Sequence, residues 1–148
     1  MSLVSQTITT EVSDANSDCL AGCLFCELPE DKFVVLDENE LCLTLGDSYP
    51  VTEGHCLIIP RRHVETYFDM NSEEIEAATR LMHGARTRLQ AKDDSISGFN
   101  IGTNSGKSAG QSVFHAHIHF IPRRDGDQEN PQGGVRKIFP KKAQYKRK

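Results

Sequence analysis

No apolar run in this 148-residue chain reaches the ~18 residues that a membrane-spanning helix requires. Nor is there an excess of positive charge. Seventeen Lys and Arg stand against 21 Asp and Glu, and a net charge of −4 gives no support for general nucleic-acid binding. No secretory signal is visible, and five cysteines are an odd number, so the expected compartment is reducing and cytoplasmic. Internal repeats are absent. Residues 1–18 lack arginine and apolar periodicity and are rich in Ser, Thr, Asp and Asn. They read as a flexible acidic arm, not as a mitochondrial presequence. The remaining residues suit a single domain over 19–140. A basic tail over 141–148 follows, carrying Lys141, Lys142, Lys146, Arg147 and Lys148, and reads as solvated.

Against that plain background, His115, His117 and His119 occupy alternate positions. On an extended strand they share one face, while Phe114, Ala116, Ile118 and Phe120 fill the other with apolar groups suited to a core. A single metal site using all three rings is disfavoured. The outer Cα atoms would lie ~13 Å apart, too far for all three rings to converge on Zn–N bonds of ~2.1 Å. Nucleophilic catalysis fits better, because a neutral imidazole carries a lone pair near neutral pH. The preceding loop, from Asn104 through Gly106, Lys107, Gly110 and Gln111 to Ser112, offers amides, hydroxyls and backbone N–H groups to an anion.

The rest of the chain alternates strand and turn. Residues 33–36 and 41–45 read as a hairpin around Asp37, Glu38 and Asn39, and residues 55–59 as a third strand ended by Pro60. One long helix follows, with Asn71 and Glu74 as a capping-box pair and Met70 and Ile75 as a staple. Ile75, Ala78, Met82, Ala85 and Leu89 form its apolar stripe, and His83 lies off it. Residues 99–103 and 113–121 give the last two strands. Several strands and one long helix favour an α+β antiparallel sheet. Arg61, Arg62, Arg123 and Arg124 bracket these strands, either as solvated strand-end charges or as attractors of polyphosphate.

His115 to Ile121 resembles the signature of the histidine triad (HIT) family of nucleotide hydrolases and transferases, in which three histidines alternate with apolar residues. The segments Ala109-Gly110-Gln111-Ser112-Val113-Phe114, Pro50-Val51-Thr52-Glu53-Gly54-His55 and Gly133-Gly134-Val135-Arg136 extend the resemblance from about Cys23 to about Tyr145. The resemblance implies a HIT fold of five antiparallel strands with one long and one short helix, joined into a ten-stranded sheet in a homodimer. It makes His117 the nucleophile that forms a nucleotidyl-histidine, His119 a phosphate contact and His55 a fourth histidine nearby. Asp47, Asn104, Gly110, Gln111 and Ser112 fall at nucleotide-binding positions. Gly46 stands where the family usually has a bulkier apolar residue.

Cys23-Leu24-Phe25-Cys26 is by itself ambiguous among a redox pair, half a zinc site and coincidence, although no βαβ pattern supports the redox reading. The resemblance implies a structural zinc held by Cys23, Cys26, His63 and His115, with no metal required for the chemical step. Cys19 reads as a bystander, and Cys42 and Cys56 as small core residues.

The expected substrate is an adenine nucleotide or dinucleoside polyphosphate. Ile121-Pro122-Arg123 resembles the Fhit-like and general bacterial-type pattern, and the chain lacks the Trp-Pro-Pro-Gly ending of many Hint proteins. A phosphoramidate hydrolase, a non-catalytic nucleotide-binding module and a zinc hydrolase using the histidines directly remain alternatives.

Overall fold

The structure, a computed structural model, describes residues 18–147. The arm expected over 1–18 therefore lies outside the described residues, apart from Asp18. Five strands, β1 (Val35–Glu38), β2 (Cys42–Gly46), β3 (Cys56–Pro60), β4 (Ile96–Gly102) and β5 (Ile118–Arg124), form one antiparallel sheet in the order β1-β2-β3-β5-β4. A one-turn helix α1 (Leu24–Glu27) precedes the sheet, and the long helix α2 (Ser72–Lys92) connects β3 to β4. The α+β architecture expected from the pattern of elements is the one observed.

Both faces of the central strands are covered, which is why β2 and β3 bury nearly every side chain. Strand alternation sorts these residues into two clusters. Cys42, Cys56, Ile58, Ile118 and Phe120 pack against Ala77, Ala78, Leu81 and Ala85 of α2. Leu43, Leu45, Leu57 and Ile59 face the other way, onto Cys23 and Phe25 of the α1 region. Cys42 and Cys56 are core residues, as expected, and burial pushes both thiols up to about 11.

Local chemistry explains the elements. Asn39 turns the β1–β2 hairpin by accepting the N–H groups of Leu41 and Cys42 and donating to Ala77 O of α2. The capping box of α2 forms as its sequence predicts. Its Glu74, only 2% exposed, also takes the Arg62 guanidinium at 2.6 Å. Gly54 holds φ +88, and a Cβ there would meet Leu89 Cδ2 at 2.9 Å, so the turn into β3 needs glycine at that position.

Three strands differ from expectation. β1 runs Val35–Glu38, so Asp37 and Glu38 are paired in the strand and not in the turn. β4 starts at Ile96 and not at residue 99, and β5 is shifted most. The last strand begins at Ile118, not at residue 113, and runs on to Arg124. Residues 113–117 are tied to loops instead of a neighbouring strand: Ala116 N–H donates to Val64 O at 2.7 Å and Thr103 Oγ1 to His117 O at 2.8 Å. Phe114, expected on the core face, is consequently 47% exposed. At the far end, Ala143 is buried against Gly133, and the side chains of Gln132 and Gln144 bond across the fold-back to Tyr145 O and Gln132 O.

Candidate active site

Because residues 113–117 leave the ladder, the three histidines do not share one environment. His115 is fully buried, His117 is 7% exposed, and the His119 side chain, already within β5, is 27% exposed. Each ring has a different hydrogen-bond partner, and those partners fix what each ring can do.

His115 Nε2 donates to Pro60 O at 2.8 Å, which leaves the Nδ1 lone pair pointing to Cys23 Sγ and Cys26 Sγ, each at 3.5 Å. Cys26 Sγ also lies 3.5 Å from His63 Nδ1. One donor atom from each of Cys23, Cys26, His63 and His115 falls within 4.8 Å of every other. A tetrahedral zinc with bonds of about 2.3 Å to sulfur and about 2.0 Å to nitrogen sets S···N edges of about 3.5 Å, so the donor set and spacing fit. Burial and the neighbouring Cys23 thiol push the Cys26 thiol up to about 11. A cation would displace that proton. This cluster can hold a metal, and the sequence-expected ligands are the four that meet.

His117 Nδ1 donates to the carbonyl of His115 at 2.8 Å, so its lone pair resides on Nε2. His117 and His119 lie along a cleft of about 490 Å³, whose walls include Phe25, Phe33, Asp47 and Tyr49. His119 contacts His117 edge to face, with ring centroids 5.3 Å apart. Behind it stands His55, buried, with Nε2 3.0 Å from His119 Nδ1. Val51 N–H donates to His55 Nδ1 at 3.1 Å, so the remaining proton of neutral His55 is on Nε2 and is donated to His119. His119 must then carry its own proton on Nε2. Burial lowers the pKa of His55 against the pull of Asp47, and lowers that of His119 with help from His117 and His55, favouring these neutral tautomers.

Asp47 Oδ2 lies 3.4 Å from His55 Nε2 and 3.9 Å from His119 Nδ1. The three groups are close enough to suggest a metal. The Val51 N–H argues otherwise, because it leaves no lone pair on the Nε2 of a neutral His55. This cluster is a hydrogen-bond relay.

Other expected site residues are placed less directly. Gln111 is 4% exposed, and its amide is committed to backbone: Nε2 donates to the carbonyls of Glu65 and Val113, and Oε1 accepts from Gly106 N–H. Asn104, Gly110 and Ser112 lie on the same loop but do not line the cleft. Each of the four flagged arginines is ion-paired, Arg61 with Glu38, Arg62 with Glu74, Arg123 with Asp127 and Arg124 with Asp93, at 2.6–2.8 Å. Sequence reasoning missed Val51 N–H, Pro60 O and Thr103, whose roles are backbone or long-range and leave no pattern. It also missed Phe25, whose signal was its place between two metal-type cysteines.

Known proteins similar to this chain point to one family. An adenosine 5'-monophosphoramidase of Saccharomyces cerevisiae is 32% identical over 123 residues, covering 80% of this chain and 73% of that protein. An adenylylsulfatase of Arabidopsis thaliana is 34% identical over 110 residues, 71% of this chain and 54% of that protein. Among solved structures, a zinc-bound histidine triad family protein from Mycobacterium smegmatis is 32% identical with a TM-score of 0.59, over 74% of this chain and 80% of that one. A family model, the HIT domain, matches residues 29–126, and with that match the chain belongs to the HIT family.

Proposed function

We propose that this chain is a nucleotide hydrolase or transferase in which His117 Nε2 attacks the α-phosphorus of an adenine nucleotide. The observation that carries the reading is the His117 Nδ1–H···O=C bond to His115, which orients an unencumbered lone pair beside the cleft. The Nε2–phosphorus bond forms as the bond to the leaving group breaks, giving a nucleotidyl-histidine; sulfate leaves as the dianion, and an amine leaves neutral after its nitrogen takes a proton from solvent. Water or another acceptor then attacks the same phosphorus and frees the imidazole. His119, its Nε2–H imposed by His55, donates to the phosphate as charge develops. Asp47, in the cleft wall, is suited to hold the ribose hydroxyls. The family resemblance gives Asn104, Gly110 and Ser112 a phosphate contact, which from outside the cleft wall they would make only if their loop moves onto bound nucleotide.

A zinc held by Cys23, Cys26, His63 and His115 would be structural, since four protein ligands leave no open position for substrate. Residues 19–140 would form the catalytic domain, between the arm of 1–18 and the tail of 141–148. A second copy would join along β4, an edge strand with Ile101 exposed, to make the homodimer.

The leaving group we favour is compact: an amine, as in a phosphoramidate, or sulfate. Lys32 is the one lysine or arginine lining the cleft among the described residues, against Asp31 and Asp47. The bracketing arginines are neutralised by carboxylates, so the dinucleoside polyphosphate preferred from the sequence has few cations to receive it. The yeast and Arabidopsis relatives, named for phosphoramidate and adenylylsulfate hydrolysis, support the same choice.

The test is AMP release from adenosine phosphoramidate, adenylylsulfate and diadenosine tetraphosphate by the wild type and His117→Asn. Turnover of the small substrates that His117→Asn abolishes, with melting unchanged, is the expected result. Full activity in His117→Asn would sink the mechanism, and preference for the dinucleotide would restore the polyphosphate reading. Binding without turnover of any of the three would favour a nucleotide-binding module.

A further inference from the structure

Leu24 and Phe25 separate the two cysteines of the candidate metal centre and also line the nucleotide cleft. Phe25 is 5% exposed, and its ring meets His117 edge-on at 5.2 Å between centroids and His115 at 5.9 Å. A second link runs through the backbone. His115 directs Nδ1 to the cysteines while its carbonyl holds His117 Nδ1–H. A third runs from His63: the next residue, Val64, accepts the N–H of Ala116, which lies between the two histidines. The sheet supplies no equivalent restraint, because β5 pairs with β3 only from Ile118 onward.

We propose that the Cys23, Cys26, His63 and His115 centre positions His117, with Phe25 as the positioning residue that transmits the order of the Cys-x-x-Cys turn to the imidazole. The centre contributes no atom to bond breaking. It fixes the ring plane and the Nδ1–H tautomer of His117 by clamping a segment that the strand ladder leaves free. Turnover then depends on the integrity of the centre, although its ligands never touch substrate. The activity arm of this inference rests on His117 being the nucleophile; the geometric arm does not.

The experiment compares metal-loaded wild type, Phe25→Leu and Phe25→Ala by metal content, by long-range proton–nitrogen correlation of the histidine rings, and by AMP release from adenosine phosphoramidate. All four ligands are intact in the variants, so the metal content should stay equal. In Phe25→Ala the His117 ring should change from a single Nδ1–H tautomer to a mixture. Its kcat should fall on the order of 10- to 100-fold, the scale of an ångström-sized misplacement, with KM changed less. Phe25→Leu, which keeps most of the volume, should be intermediate in both readouts, and it carries the test if Phe25→Ala does not fold. A wild-type tautomer and wild-type kcat in the folded variants, or a change confined to KM, would overturn the proposal. If the wild type itself releases no AMP while the tautomer responds as expected, the proposed reaction fails and the positioning role stands.

Discussion

Two clusters of imidazole and acid or thiol groups lie on either side of His117, with donor atoms at similar spacings, yet they are built for opposite tasks. Around His115 a backbone carbonyl, Pro60 O, takes the ring N–H, and the lone pair faces inward to the cysteines. Around His55 a backbone N–H, that of Val51, takes the lone pair, and the ring N–H faces inward to His119. One inversion of a backbone partner turns a potential metal ligand into a proton donor. Proximity of histidines is therefore a poor guide to metal binding, and the outer hydrogen bond decides.

The largest effect should come from dismantling the first cluster. A metal present at a thousand times its dissociation constant contributes about 4 kcal/mol to stability. For a domain of this size that corresponds to about 8–16 °C in Tm. Chelation, or His63→Ala, should lower Tm by that amount, and elemental analysis of the untreated protein should find one equivalent. Two equivalents would mean that the His55 cluster also takes metal and would break the contrast.

The second cluster should respond in activity instead. Removing one donor from a developing oxyanion costs about 10²–10³ in kcat, and His119→Ala should fall in that range with metal content unchanged. His55→Leu, which removes the proton directed at His119 Nδ1, should lose less. His55→Gln, able to donate from an amide, should lose least. Wild-type kcat in both His55 variants would show that His119 is not oriented by its neighbour.

The same cluster predicts a pH effect on stability. His55 and His119 both titrate below the ordinary value near 6.5, chiefly through burial, so the unfolded chain binds more protons than the native one in mildly acidic solution. Their contribution is complete above pH 6.5 and is lost as pH falls from there toward their lowered native values. Urea midpoints measured on both sides of pH 6.5 should fall on acidification, and His119→Gln should flatten that slope. A slope unchanged by the substitution would place the titrating groups elsewhere.

Much of this contrast could be read from the sequence, and the part that could not has a physical reason. Side-chain types at short or alternating spacing picked out Cys23, Cys26 and the triad, the family resemblance supplied His55, His63 and Asp47, and the helix announced itself through Asn71, Glu74 and its apolar stripe. The start of β5 was misplaced because alternation persists through residues 113–117, even though their hydrogen bonds go to Val64 and from Thr103. A period-2 pattern records burial on two sides but not the partner that satisfies the backbone. For the same reason Val51 N–H and Pro60 O, which set the two tautomers, were invisible, since every residue but proline offers the first group and every residue offers the second. Gln111 looked like a phosphate ligand by position, but its amide is occupied in closing its own loop.

The smallest effect sharpens which cysteines belong to the first cluster. Cys19 is exposed and lies four residues before Cys23, close enough in sequence to compete as a ligand. The geometry assigns it no such part: the four mutually adjacent donors are those of Cys23, Cys26, His63 and His115, and the nearby Leu20 N–H supports Cys26 Sγ at 3.4 Å. An exposed substitution away from any network is worth no more than about 0.5 kcal/mol. Cys19→Ser should accordingly keep one equivalent of metal, and its Tm should stay within about 2 °C of the wild type. A fall in metal content would put a thiolate where the structure places His63 or His115. If His115 were the one displaced, the carbonyl that holds His117 would no longer be anchored through a metal ligand.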